Sequence, residues 1–138
     1  MTAVDEHMAP GAVLRGSGGG DGGLFAGITA RYLAFVATTL PGDSVDDVKA
    51  RDTARHIVLT SAQAAWDNRQ TVDGLPLFGP SWDETAELPT AGGQQAQFVA
   101  GAVTASEIPE RDLSVQLSGW TLMEAAHAVA SYEGISNE

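Results

Sequence analysis

Between residues 24 and 40 the chain reads LFAGITARYLAFVATTL, and Leu24, Phe25, Ile28, Tyr32, Phe35 and Val36 recur at helical spacing. Leu33, Ala30, Ala34 and Ala37 fill much of the other side, with Arg31 and a few threonines as the polar interruptions. A helix apolar nearly all round needs cover on nearly every face. Pro41-Gly42 ends it. A second helix is predicted over 45–69, with Ser44 as N-cap and Asp47 in the capping-box position. Its stripe is Ala50, Ala54, Ile57, Val58, Ala62, Ala65 and Trp66, while Lys49, Asp52, Arg55, Gln63 and Asp67 lie mostly off it, so one face meets water. A third helix, predicted over 110–132, places Leu113, Leu117, Trp120, Leu122, Ala125, Ala126 and Val129 around all but a narrow polar side. Pro109 suits its first turn, Glu110 and Asp112 match the helix dipole, and Gly134 is the stop signal. On this pattern Trp66 and Trp120 are core residues.

The segments between the helices are equally distinct. Residues 1–23 end in RGSGGGDGG and read as a glycine-rich loop. TVDGLPLFGPSWDETAELPTAGG is a long loop with three prolines and four glycines that holds Phe78 and Trp82. Loops of this length in compact domains are often functional. QAQFVAGAVTA, where apolar residues alternate loosely and a glycine interrupts them, reads as either a short strand or a helix, with extended structure preferred. Two near-buried helices and one amphipathic helix make an all-α chain in which inner and outer elements alternate. Its organisation is an N-terminal segment over 1–23, a helical unit over 24–133 and a tail over 134–138.

Charge narrows the partners. Seven basic residues face eighteen acidic ones, a formal net charge of −11. That field repels nucleic-acid phosphates and disfavours anionic membrane surfaces, but is compatible with a neutral polar ligand such as a sugar. There is no cysteine, so disulfides and thiolate metal sites are excluded. His7, His56 and His127 are too scattered for a metal site, and no cofactor is expected. Gly18, Gly20 and Gly23 formally satisfy G-x-G-x-x-G, but no strand precedes them, so they do not make a dinucleotide fold. MTAVDEHMAPGAVLRG lacks the basic region and apolar run of a signal peptide, and no apolar stretch is long enough for a membrane span. The expectation is that the protein stays inside the cell, or that a piece carrying an export signal is absent from this chain.

The order of motifs is specific. A Gly/Asp turn is followed by LFAGITARYLAFVATTLP, by an alanine-rich helix ending in AAWDNRQ, by LFGPSW and by VQLSGWTLMEAA. This order resembles the C-terminal portion of glycoside hydrolase family 76, endo-acting α-1,6-mannanases with related fungal cell-wall transglycosylase-like members. The resemblance covers residues 10–133. The family's Phe-Lys-Gly-Ile and Arg-Tyr-Leu match Phe25-Ala26-Gly27-Ile28 and Arg31-Tyr32-Leu33, with Ala26 in place of the lysine. Its Phe-Gly and Trp loop matches Phe78, Gly79 and Trp82, and its Gln-x-Ser matches Gln116 and Ser118.

The resemblance implies an (α/α)6 barrel of alternating inner and outer helices, of which this chain forms a part, and a secreted or cell-surface location. It implies an acidic substrate-facing residue near Asp21, with Phe78 and Trp82 on a loop suited to stacking on a pyranose. The alternative for Asp21 is a turn or capping residue, and for the two aromatics a plug that fixes the loop to the helices below. The family's catalytic pair of adjacent aspartates, followed closely by tryptophans, has no counterpart. Asp46-Asp47 is the one pair of adjacent aspartates, and its place at a helix start accounts for it. No catalytic residue is therefore assigned. Two functions follow as expectations. In the first, the chain is a section of an α-1,6-mannan hydrolase that supplies cleft wall, is inactive alone and takes α-mannan-type oligosaccharide or polysaccharide when the barrel is complete. In the second it is a non-catalytic helical module binding a glycan or a protein. The first leaves apolar helices uncovered, with self-association as a consequence.

Overall fold

A computed structural model describes Met1 and residues 3–136, with side chains as far as Tyr132. Three helices dominate it: α1, Phe25–Thr39; α2, Val45–Asp67; and α3, Leu113–Ser136. Two short antiparallel hairpins interrupt the connection from α2 to α3, β1 (Gln70–Val72) with β2 (Leu75–Leu77) and β3 (Gln97–Val99) with β4 (Ala102–Thr104). The chain is all-α in class, a partial α/α arrangement with long loops between its helices.

The predicted boundaries hold for α1 and α2 within the usual fraying of helix ends. Ser44 Oγ accepts the Asp47 amide at 3.1 Å and donates to the Asp47 carboxylate at 2.6 Å, so the expected cap is in place. The third helix differs. Its first regular residue is Leu113, preceded by a 3-10 turn over Pro109–Arg111, and it runs past Gly134. The N-terminal segment differs as well. It is built of short helical turns, and Ala9, Ala12 and Leu14 are buried in the main core. The Leu14 amide donates to Ser61 Oγ at 2.9 Å, which pins this segment to α2.

α1 packs on both α2 and α3, and α2 also reaches α3. The residues that make these contacts are small. α1 buries Ala26, Gly27, Ala30, Leu33, Ala34 and Ala37. A Cβ on Gly27 would sit 2.7 Å from Ser118 Cα, so the two helices touch nearly backbone to backbone, and the Gly27 amide donates to Ser118 Oγ at 2.7 Å. Gly23 opposes Ser114 one turn earlier, and Ala34 and Thr38 share a groove with Ala125 and Ala128 further along. Both helices therefore ascend in the same direction.

The large apolar residues of α1 lie on the opposite side. Phe25, Ile28, Tyr32 and Phe35 are all exposed, Tyr32 by 66%, and on α3 Leu113, Leu117 and Trp120 continue the uncovered surface. The helices are apolar nearly all round, as read from the pattern, but the chain covers only their small-residue sides. Trp66 and Trp120, expected in the core, are exposed by 42% and 52%. Trp66 instead carries the Arg69 guanidinium 3.9 Å from its ring centroid. Periodicity identifies which faces are apolar; it does not say which of them this chain covers.

Candidate functional site

Because α1 and α3 run parallel, their N-terminal ends lie together, and the turns that feed them form one end of the molecule. The Gly20–Leu24 turn enters α1 and the Pro109–Arg111 turn enters α3. Asp21 is exposed here. Its Oδ2 accepts the Val103 amide of β4 at 2.9 Å. Gly20, at φ 58°, has no room for a side chain, since a Cβ would collide with the Val103 carbonyl oxygen. The β3–β4 hairpin thus stands directly against the turn that presents Asp21.

Asp112 braces this corner from below. It is buried, and its Oδ2 accepts the Gly20 amide at 2.7 Å and the Ser106 amide at 3.1 Å, while Oδ1 accepts the Ser106 hydroxyl. Glu110, also buried, accepts the Glu87 amide at 2.8 Å. These acids were expected to complement the dipole of their own helix. Their carboxylates instead satisfy loop amides that burial would otherwise leave without a partner.

The LFGPSW loop is held as tightly. The Gln116 side chain accepts the Phe78 amide at 3.0 Å and donates to the Phe78 carbonyl at 2.8 Å, as a neighbouring strand would. Asn68 donates to the Trp82 carbonyl at 3.0 Å. Phe78 is 1% exposed and Trp82 3%. A ring without an open face has nothing to offer a pyranose, so the stacking expectation does not fit their surroundings; both side chains anchor the loop. Gly119 leaves the space that Phe78 fills, and Trp120 meets Phe78 edge-on at 6.4 Å and 84°. The family-matched Gln116 and Ser118 are thereby positioning residues, one for the loop and one for the α1–α3 seam.

This end offers an exposed carboxylate, a projecting hairpin and uncovered rings, and beside the Pro109 turn Glu84 and Glu87 line a shallow pocket with Glu110. Glycoside hydrolysis requires two carboxyl groups on either side of the scissile bond. Asp46 and Asp47 do not supply them. α2 follows α1 after a short reversal, so its start lies at the far end from Asp21, and Asp47 is engaged with Ser44. Among the described residues no three His, Asp or Glu side chains gather as a metal site would require, and no helix is long and apolar enough to cross a membrane. A groove of about 280 Å³ runs between α1 and α3 on the uncovered side, lined by Arg31, Phe35, Thr38, Thr121 and Glu124.

No family model matches the chain, and no curated protein does. A solved structure does: the GH76A α-1,6-mannanase from Salegentibacter sp. HEL1_6 is similar over 93% of this chain, at 31% identity and a TM-score of 0.62. The chain spans about 30% of that protein's length. The resemblance to family 76 read from the motif order is borne out, and the chain is family-76-like over nearly all its length.

Proposed function

We propose that this chain is a section of a family-76-like α-1,6-mannanase barrel, corresponding to its C-terminal portion, and that it supplies cleft wall without the catalytic aspartates. The observation that supports this is the largely uncovered aromatic side of α1 and α3, which has the character of a buried surface. In the complete barrel one carboxyl group protonates the leaving oxygen of the mannosidic bond while a second acts at the anomeric carbon. In this reading Asp21, at the end where the two parallel helices begin, accepts a hydroxyl of the bound mannan. Glu110, Asp112 and Gln116 keep the surrounding turns and loop in place. Asp21, Glu107, Glu110 and Asp112 accept backbone amides and Asp47 serves a helix cap, and the sequence holds no counterpart of the family's catalytic aspartate pair, so in this reading the section does not turn over substrate by itself.

Two measurements on the purified 138-residue chain test this. Reducing-end release from α-1,6-mannan should stay at the level of buffer, and an environment-sensitive apolar dye should bind strongly and report association that grows with concentration. Hydrolysis by the chain alone would overturn the assignment. A monomer that excludes the dye and melts in one sharp transition would instead identify a self-contained binding module.

A further inference from the structure

We propose that the β3–β4 hairpin is a glycan-contacting arm, with Phe98 as the platform for a neutral pyranose ring and the Asp21 carboxylate at its edge as an acceptor for sugar hydroxyls. The proposal rests on the carbohydrate reading above and adds to it a residue that no motif marks.

All six strand residues of this hairpin are exposed, so it buries no face of its own. An isolated two-stranded hairpin is at best marginal in water. This one is held at its root instead. The Ala96 amide donates to Ser106 Oγ at 2.8 Å, and Ser106 is in turn gripped by buried Asp112. The Gln94 amide donates to the Glu107 carboxylate at 3.0 Å, and the Glu107 amide returns a bond to the Gln94 carbonyl at 2.8 Å. Asp21 then takes the Val103 amide from the side. The tip turns through Ala100 and Gly101, both at positive φ, the backbone of a tight hairpin turn. Ala100 carries a side chain in that conformation at a cost of about 1–2 kcal/mol. The outer edge of β4 is fixed against the Gly20–Leu24 turn, while both faces of the hairpin stay open, as they would to receive a ligand.

The register identifies the contacting residue. Phe98 is the direct partner of Val103, and cross-strand partners share a face. The Val103 amide points away from β3 in the plane of the hairpin, so the Asp21 carboxylate lies along the outer edge of β4, one strand away from Phe98. Phe98, at 76%, is the most exposed aromatic ring among the described residues. Around it the arm carries Gln94, Gln95 and Gln97 and no lysine or arginine anywhere in residues 94–107. An open ring, three amides, the Asp21 and Glu107 carboxylates and a single arginine at the root, Arg111, bound to the Thr90 carbonyl, in a chain of net charge −11, select against anionic polymers and fit a neutral polyhydroxyl chain.

Isothermal titration of the 138-residue chain with α-1,6-mannohexaose and, separately, with maltohexaose tests this, alongside Phe98→Ala and Phe98→Trp. The wild type should bind the mannose oligomer, Phe98→Ala should weaken that binding by about tenfold or more, and Phe98→Trp should keep it, all with unchanged thermal melts. Mannohexaose binding that Phe98→Ala leaves intact would overturn the arm and keep the mannan reading. Binding of maltohexaose alone, lost in Phe98→Ala, would support the arm and overturn the mannan reading. A wild type that binds neither oligomer, or a Phe98→Ala chain that loses only self-association, would overturn the arm.

Discussion

α1 and α3 each have two apolar sides that behave oppositely. On one, Gly27 meets Ser118 and Ala34 shares a groove with Ala125, and the helices close on each other. On the other, Phe25, Ile28, Tyr32, Phe35 and Leu117 are exposed, and Trp120 is half-exposed with one edge on Phe78. A globular chain folding for itself would bury the large rings and leave alanines outside, because burial of a large side chain contributes far more than burial of a methyl group. The inversion teaches that the small side sets the distance between helices, and the large side stays open to solvent.

The most severe way to break this contrast is to put bulk into the closed side. Gly27→Leu forces a side chain into Ser118, whose backbone cannot retreat without separating the helices. We expect a loss of about 3 kcal/mol or more, or failure to fold, read from chemical denaturation. Accommodation within about 0.5 kcal/mol would show that the seam is loose and that small residues are incidental to it.

The corner that presents Asp21 should respond less. Asp112→Ala removes the acceptor for the Gly20 and Ser106 amides and leaves both buried. The expected loss is about 2–3 kcal/mol, with faster amide exchange across the β3–β4 hairpin than across α1. Uniform exchange in the variant would mean that the hairpin does not depend on that brace.

How much of this was readable in advance follows the range of the interactions. The spans of α1 and α2 and the Ser44 cap depend on residues within a few positions, and periodicity with capping chemistry found them. The extended character of QAQFVAGAVTA was readable too, from alternation alone. The β1–β2 hairpin was missed although its signal is local: Asp73 and Gly74, both at positive φ, are the Asp-Gly pair of a tight hairpin turn, hidden inside a run rich in glycine and proline. The burial of Phe78 was not readable, because the Gln116 clamp that holds it comes from 38 residues away. Nor were the roles of Glu110 and Asp112. Acids at a helix start look like dipole partners until the amides they serve are seen to belong to distant loops. The candidate site suffered most: of its three expected residues, Asp21 alone presents its side chain to solvent.

The gentlest perturbation is the most telling about the open side. Tyr32→Ser with Phe35→Ser removes two rings that touch little within the chain, so stability should shift by no more than about 0.5 kcal/mol per site, apart from a small loss of helix propensity. The same change should sharply reduce dye binding and move the association midpoint to higher concentration, because the uncovered patch loses its centre. Sedimentation and dye fluorescence on one preparation separate the two effects. If the double variant melts far below the parent, the rings are already supporting the fold and the open side is not free. If stability and association both stay unchanged, the patch is not what draws copies together, and the contrast between the closed and open sides loses its functional meaning.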